Sequence, residues 1–337
     1  MPTIITKTIG STGDYATPQL WANAIPADLV SADESHVGHL QNENFSGSGT
    51  RLTISGKTTD ATHTIMLMTA PDCSFRDHPN RRTNALRVDT TYGATLTETS
   101  GFAPVVVLSS VDYVTIRGVQ MQNTGSVDTS NNCVTYIGAA THNVLEYCVL
   151  EAKNNSTFVG VVRWRAGVVR NCLVINRNGG SGVGFACDFA LSLTIVGCTI
   201  VRPSNLAVAS NGITTDQATV TVRNCAVFGF TNFVNTVGSF TGSNNASDVA
   251  VGFGTNNVGP LIFTDQFQVT VNTNSDFRLK DTSGCLDHGV TDATHGTPDI
   301  SGTPRPGGTF YCIGCWEVIQ DRRNNPGVIG PAIARLI

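Results

Sequence analysis

The sequence predicts an all-β chain wound as one parallel β-helix, and three observations predict it. Of 337 residues, 43 are Thr, 36 Val, 27 Asn and 34 Gly, a mixture that favours strands and tight turns over helices. Charged side chains make up 14% of the chain, against roughly 25% in ordinary soluble domains. Cys148, Cys172, Cys198 and Cys225 follow one another at intervals of 24, 26 and 27 residues, each inside a short β-branched segment. A fixed period in that range marks a solenoid.

Taken along the chain, Thr17-Pro18-Gln19-Leu20-Trp21 reads as an N-cap, a proline at the first helical position and one apolar helical turn. A short helix there would plug the first coil, since open coil ends expose core and unpaired backbone. The repeating segments are VTIRGVQM (114–121), VLEYCVL (144–150), VVRNCLVI (168–175), TIVGCTIV (194–201) and TVRNCAVF (221–228). Apolar residues alternate with exposed types, then comes Cys, or Val119 in the first segment, which is strand periodicity. A second strand is expected before each: 105–108, 133–138, 158–164, 183–186 and 211–214. An Asn-containing turn follows most of them, at Asn123, Asn154, Asn176, Asn205 and Asn232.

Leucine-rich repeats have a similar period, but Leu is too sparse here and no helical periodicity fills the gaps. With one period per coil of three short strands, 52–279 would form eight or nine coils rising about 4.8 Å each, a column about 40 Å long. Val119, Cys148, Cys172, Cys198 and Cys225 then form an inward ladder, in which a free Cys serves as a small hydrophobe. Stacking also accounts for the missing charge, because a charged residue would face its own kind on the next coil. The expected organisation is an N-terminal cap and arm over 1–50, coils over 51–290, and a cap strand and extended tail over 291–337.

Several function classes are excluded. Net charge is −4, with four lysines, which leaves no basic stripe for a nucleic-acid backbone. No apolar run approaches the roughly 18–20 residues that span a bilayer. Residues 1–25 lack the charged head and unbroken apolar core of a secretory leader, so folding in a cytoplasm, or after loss of a leader, is expected.

Two stretches carry a resemblance. Residues 10–40, GSTGDYATPQLWANAIPADLVSADESHVGHL, and the following 52–88 resemble the opening of right-handed β-helix proteins of tailed phages. The close, DFRLKDTSGCLDHGV (276–290) and TPDISGTPRPGGTFYCIGCWE (297–317), is similar to their terminal motif, a D-x-x-G-x-x-R-P segment leading into Ile-Gly-x-aromatic-Glu. The resemblance implies a pectate-lyase-like or tailspike-like right-handed parallel β-helix, and either a tailspike or a trimeric capsid decoration protein. The chain has little room for the head-binding and trimerisation domains that most tailspikes add, which favours decoration.

Asp188 and Asp216 fall in roughly equivalent turns of adjacent coils and are the best acid pair for glycan cleavage, although turn Asp residues usually cap their own backbone. Arg117, Glu146 and Arg170 occupy near-equivalent outward positions, as a salt-bridged ladder would. Arg163 and Arg165 are expected outside and Trp164 inside. Cys285-x-x-His288 and Cys312-x-x-Cys315 have the spacing of a zinc site, of a Cys312–Cys315 bridge, or of packed thiols. The histidines at 36, 39, 63, 78, 142 and 295 form no ligand spacing, and Cys73, near Asp77 and His78, reads as a structural loop thiol.

Together these readings predict a non-enzymatic virion protein without a cofactor: a homotrimer made in the host cytoplasm, decorating and stabilising a phage capsid. Its partners would be the major capsid protein or another shell protein, through 1–50 and 318–337, with host glycan as a further one. The alternative is a tailspike-type polysaccharide depolymerase, a lyase or a glycoside hydrolase. A secreted carbohydrate-binding adhesin without catalysis ranks last, for want of an outward aromatic row.

Overall fold

In the computed structural model, the described residues are 1–319 apart from 101–102, 126–131, 139, 153–159, 178–181, 188–191, 205, 207–209, 217–218, 236, 273 and 292–297. They form three parallel sheets of nine, seven and eight strands, in which hydrogen-bonded neighbours are successive coils. One coil runs Val106–Ser109, Val114–Arg117, Gln120–Asn123 and the next Val134–Ile137, Val144–Glu146, Val149–Ala152, each strand pairing in parallel with its predecessor. This is a parallel β-helix, and right-handed winding is the sense that parallel crossovers take.

Register carries the core. Leu67, Ile116, Leu145, Val169, Ile195 and Val222 stack through the nine-stranded sheet. Leu96, Met121, Leu150, Val174, Ile200 and Val227 stack through the eight-stranded one. All twelve are buried, because equivalent residues of adjacent coils must point the same way.

The segments read as single cysteine strands are each two strands. The break lies at Gly118, Tyr147, Asn171, Gly197 and Asn224, all in the left-handed backbone region, where Gly and Asn are the least strained residues. One such residue turns the chain from the nine-stranded to the eight-stranded sheet, and Val119, Cys148, Cys172, Cys198 and Cys225 follow it, all buried, the four cysteines as free thiols. Asn123 and Asn176 are buried at equivalent ends of strands, Asn176 donating to the Val183 carbonyl at 3.1 Å. Asn154 and Asn205 lie outside the described residues, and Asn232 opens a strand.

The coils begin earlier than residue 51. Thr3–Ile9 and Glu34–Leu40 already pair in parallel in the nine-stranded sheet. Helix Pro18–Ala24 lies between them, with the Thr17 side chain accepting from the Leu20 amide. Trp21 is buried, and its indole would lie 2.7 Å from a Cβ at Gly38, the position in register with Leu67. The indole thus occupies the space where the core ladder stops, while Leu20 is exposed.

The coils also end earlier than 290. Ser239–Ser243 and Ala246–Ser247 are the last full strands, followed by bridges from Ser243 to Thr255 and Ala246 to Val258. The described residues of 263–318 then fold back along the outside, as a strap. Phe263, Phe267, Phe277, Cys285, Ile300, Ile313, Cys315 and Trp316 form a second core with Val149, Leu173, Ile175, Val201 and Phe228. The eight-stranded sheet is therefore covered on both faces, and its outward positions are apolar where exposed types were expected, as doubly buried parallel strands require. No helix among the described residues is long and apolar enough to cross a membrane.

Candidate functional site

Scarce charge makes any cluster of it conspicuous, and the main one lies beside the turn at Gly118. After strand Ile65–Thr69 the chain leaves the coil in a long loop and returns at Thr95. The loop is pinned at its base: Cys73 N–H donates to the Ala70 carbonyl, Ala94 N–H to the Cys73 carbonyl, and Gly93 N–H to Asn42 Oδ1. A turn at Ser74–Asp77 closes on itself, with Asp77 Oδ2 accepting from the Ser74 amide at 3.1 Å and Asp77 N–H donating to the Ser74 carbonyl at 2.9 Å.

This turn presents Asp72, Arg76, Asp77 and Arg81 to a groove of about 590 Å³, whose floor is Met68, Thr69, Arg117 and Gly118 and whose far wall is Ser301–Gly302 of the strap. The Arg76 guanidinium carbon stands 4.2 Å from the centre of the Tyr147 ring, and that of Arg117 stands 5.4 Å from it. Tyr147 holds left-handed backbone at the turn, so its ring projects from the corner as a cation platform. Burial lowers the Arg76 pKa from its usual 12.5 but leaves it a cation at neutral pH, and its Nε is buried with no hydrogen-bond partner among the described residues. Arg81 Nε donates to the Ser301 carbonyl at 3.1 Å.

Below the groove, the register puts Arg117, Glu146 and Arg170 on one outward ladder. Glu146 accepts from Arg170 Nε at 2.5 Å and lies 3.5 Å from Arg117 Nε. With Glu146 at 2% exposure, the ladder is a buried anion clamped between two cations rather than a surface pair, and it fixes where the Arg117 guanidinium sits. Three guanidinium groups converging on one groove, two on an aromatic ring, suit carboxylate or other oxyanion groups of a ligand. Asp72 and Asp77 are the carboxylates beside them.

The other expected residues are distributed differently. Asp188 lies outside the described residues, and Asp216 is exposed in a bend. Cys285, Cys312 and Cys315 are buried while His288 is exposed. Burial pushes all three thiols up to about 12, and no group of three or more His, Cys, Asp or Glu is placed to hold a metal among the described residues. All ten cysteines are free, so Cys312 and Cys315 are packed thiols and not a bridge. Trp164 is buried against Tyr136, with ring centres 5.5 Å apart. Cys73 is half-buried in the loop, whose histidine, His78, packs edge-on against Tyr92. The groove itself was missed. Its one sequence signal is Arg76, Arg81 and Arg82 within seven residues of a Pro- and Asn-containing loop.

No protein-family model matches this sequence, and no curated protein does. Among solved structures, a pectin methylesterase from Aspergillus niger, in a penultimately deglycosylated form, is similar at 13% identity and a TM-score of 0.40, over 86% of this chain and 92% of that one. The likeness is one of fold. The expectation of a non-enzyme rested on scarce charge along the coils, and it is corrected by the loop off the coils, where three arginines and two carboxylates line one groove.

Proposed function

We propose that this protein acts on an acidic polysaccharide, as a depolymerase of the tailspike type, and that its substrate lies in the groove of Arg76, Arg81 and Arg117. The observation that carries the proposal is the meeting of three guanidinium groups and two carboxylates in one groove on a rigid coil floor. The arginines would hold a sugar carboxylate by charge-assisted hydrogen bonds, and Asp72 and Asp77 would exchange protons with the glycosidic oxygen and its attacking or departing partner. A phage particle is the proposed setting, with the chain a homotrimer at the shell or the tail. Its support is the resemblance of residues 10–88 and 276–317 to phage β-helix proteins.

The test is incubation of the full chain with polygalacturonate, alginate and hyaluronan, and with neutral dextran as control, following viscosity and new reducing ends. Cleavage of at least one acidic polymer and not of dextran is expected. Asp77→Asn, which keeps an acceptor for the Ser74 amide, should slow cleavage about 100-fold or more, and Arg81→Ala should raise KM with little change in kcat. An unchanged rate in Asp72→Asn, Asp77→Asn and Arg81→Ala alike would remove the groove from the reaction, and no cleavage of any acidic polymer would remove the reaction.

A further inference from the structure

A second groove, of about 630 Å³, opens at the other end of the strap and has different chemistry. It lies where the last corner residues meet the strap: Asn244 and Asn256 on one side, Asp287, His288, Val290 and Phe310 on the other. The corner positions Gly118, Tyr147, Asn171, Gly197, Asn224, Asn244 and Asn256 succeed one another coil by coil, so this groove stands about 25–30 Å along the axis from the arginine groove. Among the described residues no Lys or Arg lines it.

Its walls are built. Asn224 acts as a peptide mimic toward the strap, accepting from the Val290 amide and donating to the Val290 carbonyl, both at 2.8 Å. Asn244 Nδ2 donates to the His288 carbonyl at 2.8 Å, and Asn257 is filled by the Asn245 amide and the Phe253 carbonyl. These bonds hold the frame and leave other groups to the groove. The Asn256 amide and the His288 ring make no hydrogen bond among the described residues. Phe310 is 52% exposed, while its backbone N–H is anchored on Asp287 Oδ1 at 3.2 Å.

An exposed aromatic face, an unbonded amide that can both donate and accept, an imidazole and a carboxylate form the set that a pyranose requires. The apolar C–H face of the sugar covers the ring, and its hydroxyls meet groups that donate and accept in turn. The lack of a Lys or Arg among the described lining residues removes any preference for an acidic sugar, and the one carboxylate, Asp287, is held by the Phe310 amide. We propose that this groove is a binding site for an uncharged pyranose, separate from the arginine groove and independent of what that groove does.

The test is saturation-transfer NMR on the full chain with four probes: methyl α-glucopyranoside, methyl α-mannopyranoside, methyl β-galactopyranoside and N-acetylglucosamine. Transfer to at least one is expected, unaffected by added salt. Phe310→Ala should weaken it about tenfold, Phe310→Tyr should keep it, and Asn256→Gly, which preserves the left-handed backbone, should weaken it while thermal unfolding stays unchanged. Arg81→Ala, in the other groove, should leave it unaltered. Transfer to none of the four sugars would overturn the proposal, as would transfer that survives both Phe310→Ala and Asn256→Gly undiminished.

Discussion

Cys172 stands between Cys148 and Cys198 in the core ladder, and its Sγ reaches two carbonyl oxygens, Arg170 at 3.3 Å and Leu145 of the preceding coil at 3.7 Å. Cys148 and Cys225 repeat the pattern with Glu146 and Ile116, and with Arg223 and Ile195. A thiol is thus a small hydrophobe that also softens a carbonyl at a sharp corner. Asn245 takes the equivalent position on the next coil and donates from Nδ2 to the Val222 carbonyl at 3.0 Å, a bond of the same kind made by an amide. Burial raises the pKa of Cys172 and Cys225, which disfavours the thiolate that reacts with oxidants and labels. Of the ten cysteines only Cys73 is not buried. A colorimetric thiol reagent should therefore titrate one cysteine in the native protein and the other nine only as denaturant unfolds it, so that labelling follows global unfolding. Rapid reaction of two or more thiols without denaturant would contradict a sealed ladder.

Two elements far apart in sequence, the loop after Thr69 and the strap, are clasped around Arg82. Arg82 donates to Asp299 Oδ2 at 3.2 Å, Ser301 Oγ at 3.1 Å and the Glu317 carbonyl at 2.7 Å, and its guanidinium lies 4.2 Å over the Trp316 ring. Around it, Leu86 N–H donates to Asp276 Oδ1 and Arg278 to the Arg82 carbonyl. Asp299 is fully buried but has other donors in Ser301, Thr303 and Glu317, so losing Arg82 does not strand it. Arg82→Ala should then cost about 2–3 kcal/mol, read as a lower denaturant midpoint with faster proteolysis between 70 and 93. Arg82→Lys should recover only part, lacking the fork and the stack. A midpoint unchanged in Arg82→Ala would show that the apolar face alone holds the strap. These elements also mark what the sequence made legible. The strands expected near 105–108, 133–138, 158–164, 183–186 and 211–214 are present, because a coil repeats its inward residues. The corner inside each cysteine segment was hidden because alternation resumes on both sides of it, although Gly118, Asn171, Gly197 and Asn224 were the residues to read. The arginine groove and the clasp obey no period, and they join residues more than 200 apart in the chain, a pairing that only packing reveals.

At the scale of the molecule, a stack of coils is nearly one-dimensional, each coil touching only its neighbours. The strap changes this by spanning from the Gly118 corner to the last coil, so its own buried charges bear on the whole column. Arg305 and Glu317 are both buried, with Arg305 Nε 3.6 Å from Glu317 Oε2, and Glu317 also accepts from the amides of Gly307 and Cys312. Burial outweighs these partners and raises the Glu317 pKa above 4.5, and burial likewise raises Asp248 above 3.8. A carboxyl whose pKa is raised in the fold adds stability that is complete below its ordinary value and is lost as pH rises through the folded one. His63 has the same sign, its pKa raised above 6.5 by hydrogen bonds to Asp60 and then Asp33. Asp14, Asp28 and Asp60 have the opposite sign. Held below 3.8 by hydrogen bonds from Thr8, Ser31 and His63, they contribute above that value and lose the contribution as pH falls through their folded values. Burial lowers the His39 pKa below 6.5, a cost relieved as pH rises, so it opposes Glu317, Asp248 and His63. With three groups against one, the unfolding midpoint should be higher at about pH 5 than at about pH 8, and should fall once pH drops below about 3.8. In Glu317→Gln the difference between about pH 5 and about pH 8 should shrink, because the amide carries no charge to desolvate. A difference between about pH 5 and about pH 8 as large in Glu317→Gln as in the native chain would mean that the Arg305 contact, and not burial, governs the ionisation of Glu317.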